Sequence, residues 1–118
     1  MEYTFFIKLN KEFGWKYFRV NFTDSKFSIL QNLLFSDNWT PIKIQEVISG
    51  ISSTLSTSLK YEWANEDLHI AAFKEGVFLF DLLARRGGVV GNGPDLQLTH
   101  IEFIKFLEDF KKFVEENS

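Results

Sequence analysis

The side chains best suited to acid–base chemistry in this sequence are its two histidines. His69 lies in a strand-like run, and a three-residue loop at 74–76 would place it opposite Asp81 in a hairpin. A carboxylate that orients an imidazole can support general-base catalysis. Because no Ser or Cys nucleophile is suggested nearby, a structural polar pair is the simpler interpretation. His100 falls in the first turn of a predicted helix, where the helix dipole disfavours a protonated imidazole, so we expect it at the surface or in the capping region.

Motifs that bind metals or phosphates are missing from the sequence. The chain contains no Cys, which excludes disulfides, thiolate catalysis and Cys-ligated zinc. The acidic turn at 65–67 lacks the spacing of an EF-hand loop. The glycine-rich segment 87–93 could cradle a phosphate with its amides, helped by Arg85 and Arg86. It lacks the Lys-Ser/Thr ending of a P-loop and does not open directly into a helix, so a mobile loop is the simpler interpretation. Its glycines also suit a loop that orders only when a partner arrives. We therefore predict no metal, no cofactor and no enzymatic activity.

The composition indicates one globular domain that covers residues 1–118. Aromatic side chains are abundant, with 14 Phe, 3 Trp and 3 Tyr, and rings are expected to build much of the core. The formal net charge is −3, whereas nucleic-acid-binding domains are usually basic, so nucleic acid is not the expected partner. The sequence shows neither a secretory signal nor an apolar run of the ~20 residues that span a bilayer. We therefore expect a cytoplasmic protein without a membrane segment.

Two alternating runs near the start, 2–9 and 15–22, predict a β-hairpin that turns at 10–14. Its second face combines rings with positive charge, and three interpretations remain open. A helix that covers the face is the simplest. Alternatively, single-stranded nucleic acid or a small ligand stacks on the rings. If the face is open to a protein, its Trp and Tyr become natural hot spots. The candidate residues of this aromatic face are Phe6, Trp15, Tyr17 and Arg19.

The rest of the chain predicts helices around a three-strand meander. Thr99 and Glu102 are spaced as a capping box at the start of a long amphipathic helix, which is the clearest signal in the sequence. The expected fold class is therefore α+β, with an antiparallel sheet of about five strands and the long C-terminal helix packed on it. The predicted elements are a short helix at 25–34, a helix that begins at Pro41, strands at 59–64, 68–74 and 77–83, a loop at 84–95 and the helix at 99–116.

Two charged segments are the first candidates for partner binding. One is an acidic hairpin tip with a Trp beside clustered carboxylates, which can accelerate association with a basic surface. The other is the loop after the last strand of the meander. An ordinary solvated turn and an ordinary loop are the alternatives. The candidate residues are Glu62, Trp63, Glu66 and Asp67 of the tip, and Arg85, Arg86 and Asp95 of the loop.

With its small size, its lack of Cys, its Phe-rich meander and the ending LTHIEFIKFLEDFKKF at 98–113, the chain resembles bacterial immunity proteins of contact-dependent growth inhibition systems. The resemblance implies a cytoplasmic, antitoxin-type protein that binds one cognate toxin domain, often a nuclease, and occludes it. A small-ligand or single-stranded nucleic-acid binding module on the aromatic face remains the alternative. An enzyme centred on His69 and Asp81 is the third hypothesis.

Overall fold

The computed structural model describes residues 1–35, 38–88 and 91–117. It confirms the α+β class and the C-terminal helix packed on a sheet. The strands are β1 (Tyr3–Asn10), β2 (Trp15–Phe22), β3 (Tyr61–Ala64), β4 (Leu68–Phe73), β5 (Gly76–Asp81) and β6 (Leu96–Leu98). A 3-10 helix (Ser25–Leu30) leads into α1 (Gln31–Leu34), followed by α2 (Pro41–Ser53), α3 (Leu82–Arg86) and α4 (His100–Glu116). Among the described residues, no helix has the length and apolar character needed to cross a bilayer.

The strands form two antiparallel sheets rather than the single sheet that was predicted. β1 and β2 form a two-stranded hairpin, and the other four strands pair in the order β3-β4-β5-β6. The described residues thus hold six strands instead of about five, because 96–98 adds to the edge of β5. Alternation predicts which residues share a face of a strand, but not which strands become neighbours. The division into two sheets therefore escaped the sequence analysis.

The long helix α4 packs on the β1–β2 hairpin through aromatic rings and also contacts β5 of the four-stranded sheet. Its Phe103, Phe106 and Phe110 are fully buried. The ring of Phe5 on β1 lies 5.5 Å from Phe106 and 5.5 Å from Phe110, centroid to centroid. Ring pairs at such separations contribute about 0.5–1.5 kcal/mol beyond the area that they bury. The hairpin is therefore attached to the rest of the protein by rings rather than by a shared ladder of backbone hydrogen bonds.

The predicted capping box at the start of α4 is confirmed. The Glu102 N–H donates to the Thr99 hydroxyl over 3.1 Å, and the Thr99 N–H donates to the Glu102 carboxylate over 2.9 Å. The backbone hydrogen bond from Thr99 is the main reason that the pKa of Glu102 lies below its usual value. Two orphan donors of the helix terminus are satisfied in this way.

Two short elements differ from the prediction. The segment 25–34 is not one helix, since a 3-10 helix over Ser25–Leu30 precedes the single α-helical turn of α1. The strand predicted at 77–83 ends at Asp81, and α3 occupies the first part of the predicted loop at 84–95. Asp81 ends the strand because its carboxylate caps α3, accepting from the Ala84 N–H over 2.9 Å. A helix of five residues is too short to show an amphipathic period.

Candidate binding surface

The pair proposed for acid–base chemistry is not formed. In the β4–β5 register His69 lies opposite Phe80, and Asp81 lies opposite Leu68. The prediction was wrong because the turn is one residue shorter than assumed, and a one-residue shift moves a side chain to the other face of the sheet. His69 stacks on Phe80 at 5.3 Å between ring centroids. Asp81 instead accepts a hydrogen bond from Asn32 Nδ2 over 3.0 Å.

His100 lies next to the N-cap of α4, in the expected capping region, but it is buried and not at the surface. Its Nε2 lies 2.9 Å from the Thr54 hydroxyl oxygen, and that hydroxyl donates to the carbonyl of Ile51 over 2.7 Å. The histidine thus connects the start of α4 to the end of α2. Buried polar groups need such partners, and both side chains are accounted for by a structural role.

The two charged candidate segments are held largely by contacts within the protein. Arg86 of α3 forms an ion pair with Asp67 and also donates to the carbonyl of Glu66. Arg85 pairs with Asp95 over 3.3 Å, and Asp95 also accepts from the Asp81 N–H over 2.7 Å. These contacts fasten the hairpin tip and the loop to α3. Partner binding through them stays a prediction.

The remaining residues of these segments divide into an inner and an outer group. Trp63 packs on the buried Trp39, with 5.4 Å between ring centroids. Glu62 is exposed and lies 3.4 Å from Lys60, and Glu66 is exposed as well.

Of the glycine-rich segment 87–93, residues 89 and 90 lie outside the described residues. Among the described residues, no group of three or more His, Asp or Glu side chains is placed to hold a metal ion.

Much of the second face of the β1–β2 hairpin is exposed, contrary to the expectation that a helix covers it, although Tyr17 and Arg19 are half-buried. The side chains of Trp15 and Phe6 are 59% and 38% exposed, and Phe13 in the turn is 60% exposed. Phe13 and Trp15 stack with 5.2 Å between ring centroids. Large apolar side chains clustered on a surface are characteristic of interaction sites. We call this surface, formed by Phe6, Phe13, Trp15, Tyr17 and Arg19, the hairpin face.

Arg19 is fixed in place at the end of the hairpin face where it lies opposite Phe6. Its guanidinium lies 5.1 Å from the centroid of Tyr17 and 5.2 Å from that of Phe35. It also donates to the carbonyls of Phe18 and Leu34 over 2.8 and 3.2 Å. These contacts hold a charged group among rings before any partner arrives. Because this side chain is already ordered, binding costs less conformational entropy.

A groove of about 580 Å³ continues from the hairpin face along the outer edge of β2. It is lined by 15–19 of β2, by Leu34 and by 38–40. Its lining includes Lys16 and Arg19 but no described carboxylate, and neither cation forms an ion pair with a described residue. The ammonium of Lys43 lies 4.9 Å from the Trp39 ring in the groove wall. The groove therefore combines rings with positive charge.

Charge is divided unevenly along the chain. Residues 1–45 carry six Lys and Arg against four Asp and Glu, whereas residues 46–118 carry seven against twelve. The hairpin is thus the cationic part of an acidic protein.

Sequence reasoning found Trp15, Tyr17 and Arg19, but it missed the wall formed by 38–40, because that wall depends on how the α1–α2 connection packs beside β2.

No family model, curated protein or solved structure compared with the chain matches it. A function for this protein must therefore be argued from its own surfaces.

Proposed function

We propose that this protein is an antitoxin-type immunity protein, which binds a cognate toxin domain and neutralises it by covering it. The observation that carries the proposal is the exposed hairpin face. The resemblance noted in the sequence adds the class of partner, a toxin domain such as a nuclease, and a cytoplasmic place of action.

The hairpin face has the composition of a protein–protein hot spot. Trp, Tyr and Arg are the residues most enriched at such sites, and Trp15, Tyr17 and Arg19 lie side by side on it. Exposed rings on a single domain are unfavourable in water, and a partner that covers them recovers the free energy of apolar burial. A stable interface requires roughly 800 Å² per partner. The hairpin face therefore forms the centre of a larger contact, which the neighbouring groove extends.

The experiment that tests this proposal uses the product of the adjacent reading frame as the partner. We expect a stable complex with the wild-type chain, and we expect Trp15→Ala and Tyr17→Ala each to weaken binding by about 2 kcal/mol, which is roughly a 30-fold increase in Kd. The thermal stability of Trp15→Ala should hardly change, because Trp15 is 59% exposed and exposed side chains contribute little to stability. Binding would be measured by calorimetry.

The matched control is Ile101→Ala, since Ile101 is 81% exposed on α4 and lies outside the hairpin face. It should leave the Kd unchanged. A complex that tolerates both ring substitutions but is lost on Glu62→Ala and Glu66→Ala would move the interface to the acidic hairpin tip. Absence of any complex, together with no protection of cells against the toxin domain, would refute the proposal.

A small ligand or single-stranded nucleic acid is the second candidate, and the specific observation in its favour is the cationic, ring-lined groove. Bases stack on exposed rings while cations contact the phosphates. A titration of Trp fluorescence with oligothymidylate separates the two candidates. Binding that weakens steeply between 50 and 200 mM salt would support nucleic acid. If the fluorescence does not change at either salt concentration, nucleic acid is excluded and the protein partner remains the candidate.

A further inference from the structure

The outer edge of β2 carries backbone groups that pair with nothing in β1. In an antiparallel pair, opposite residues alternate between those that exchange backbone hydrogen bonds and those that do not. Thr23 and Glu2 continue the register one residue beyond the pair of Tyr3 and Phe22, and the Thr23 N–H donates to the Glu2 carbonyl over 3.1 Å. The hydrogen-bonded positions of β2 are therefore the odd-numbered ones. Lys16, Phe18 and Val20 point their peptide groups away from β1.

Side-chain contacts support this assignment independently. Gln31 Nε2 donates to the carbonyl of Val20 over 3.1 Å, and Arg19 Nη1 donates to that of Phe18 over 2.8 Å. Both donors approach from the side of β2 that faces away from β1. They satisfy carbonyls toward the end of the strand. Among the described contacts, none satisfies the N–H and C=O of Lys16 or the N–H of Phe18 on this side.

This unpaired stretch of the edge lies in the groove. Lys16 and Phe18 both line it, opposite the wall formed by 38–40. Its volume of about 580 Å³ falls within the range of ordinary ligand-binding clefts. An exposed strand edge of this kind accepts an extended peptide as an additional strand. The hydrogen-bonding groups and the space for such a segment therefore coincide.

The positive charge around the β2 edge favours acidic residues in a peptide segment bound there. The Lys16 side chain belongs to the row of Phe18, and the Arg19 side chain belongs to the opposite row. The helix α2 begins at Pro41, beside the groove, and the positive end of its dipole adds to the two cations. Adjacent residues of a strand point to opposite faces, so a pair of neighbouring acidic residues can reach both cations.

We propose that the partner inserts an extended, acidic segment into this groove as a third strand on β2. This inference rests on the proposed function as a binding protein and specifies how the partner is recognised. A peptide fits better than nucleic acid, because the edge presents the carbonyl of Lys16 as well as N–H groups. A phosphate backbone offers no donor to that carbonyl, whereas a peptide N–H does.

The probe for this proposal is a blocked octapeptide, Val-Thr-Val-Glu-Glu-Val-Thr-Val, with a Lys-Lys version as its charge control. We expect the acidic peptide to bind the full chain and to slow hydrogen exchange at the Lys16 and Phe18 amides in NMR spectra. The Lys-Lys peptide should not bind. Failure of the acidic peptide to protect either amide at millimolar concentration would overturn the proposal, as would protection of both amides by oligothymidylate instead.

Two variants at one position test the edge itself. Lys16→Pro removes an edge N–H but no β1–β2 hydrogen bond, and it should weaken peptide binding at least tenfold. Lys16→Glu keeps the N–H and reverses the charge, and it should weaken binding about tenfold as well. The matched control is Leu9→Pro, because Leu9 lies opposite Lys16, is 60% exposed and points its N–H to the other edge of the hairpin. An equal loss of binding in Leu9→Pro would count against a specific role of the β2 edge.

The complex with the natural partner separates this inference from the proposed function. Weakening by Lys16→Pro but not by Leu9→Pro supports strand addition. If Trp15→Ala weakens the complex while Lys16→Pro and Lys16→Glu leave it intact, the hairpin face stands and strand addition is refuted. If none of these substitutions changes the Kd, both the hairpin face and the edge are excluded as the interface.

Discussion

Substitution of Gly50 by Ala tests the packing between α2 and β3. Alanine normally stabilises a helix interior by about 1 kcal/mol relative to glycine. Here an added Cβ would lie 2.3 Å from Cε1 and 2.5 Å from Cδ1 of the Tyr61 ring. Carbon atoms in contact prefer about 3.5–4.0 Å, so the ring or the helix must move by more than 1 Å. Glycine is therefore required at this position by the ring and not by the backbone.

The magnitude follows from two opposing effects. Overpacking of a well-packed site costs about 1–3 kcal/mol. The gain in helix propensity offsets about 1 kcal/mol of that cost. We expect Gly50→Ala to lower the free energy of unfolding by up to about 2 kcal/mol in the wild-type chain. In a Tyr61→Ala background the clash is absent, so the same substitution should raise the free energy of unfolding by about 1 kcal/mol.

The assay is a double-mutant cycle of urea unfolding, followed by circular dichroism at constant m-value. The coupling free energy between positions 50 and 61 should be about 1–3 kcal/mol, with a change of sign in the effect of Gly50→Ala. If Gly50→Ala stabilises the wild-type chain as much as it stabilises the Tyr61→Ala chain, the packing described for this contact is incorrect.

The capping box and a tyrosine–aspartate contact give two further predictions. Thr99→Ala removes the capping hydroxyl of α4 and should lower the free energy of unfolding by about 1 kcal/mol in urea titrations, whereas Thr99→Ser should retain most of the stability. The pKa of Tyr3 is raised by burial, and further by its hydrogen bond to Asp109 and the charge of that carboxylate. Its stabilising contribution is therefore fully present below pH 10 and is lost as the pH rises toward the folded-state pKa. Stability measured from pH 9 to 12 should fall less steeply in Tyr3→Phe than in the wild type, and equal slopes would contradict this account.

The sequence predicted the features that repeat along the chain. Alternation identified the inward row of the hairpin that includes Tyr3 and Phe5, and a helical period identified the buried stripe of α4 that includes Phe106 and Phe110. These patterns are readable because one face of each element must leave water. The capping box of α4 was predictable for the same local reason, since both of its partners lie within four residues.

The predictions that failed concern features that depend on contacts between distant residues or on one residue of turn length. The pairing of His69 required the length of the β4–β5 turn, which alternation alone does not specify. The burial of His100 depends on Thr54, which lies 46 residues earlier in the chain. The open hairpin face could be described as a candidate, but whether a helix covers it is decided by the packing of α4 on the other face. Residues 38–40, which form the groove wall, show no periodic pattern in the sequence.

The attachment of the hairpin to α4 also constrains the order in which the protein is completed. An isolated two-stranded hairpin is at best marginally stable in water. Many of the rings that pack on its inner row belong to α4, and the hydroxyl of Tyr3 donates to Asp109, 106 residues later in the chain. During synthesis the hairpin precedes α4, so these contacts can form only after that helix has followed. A chain truncated before α4 would therefore carry every residue of the hairpin face but would lack the helix that covers the opposite row of the hairpin.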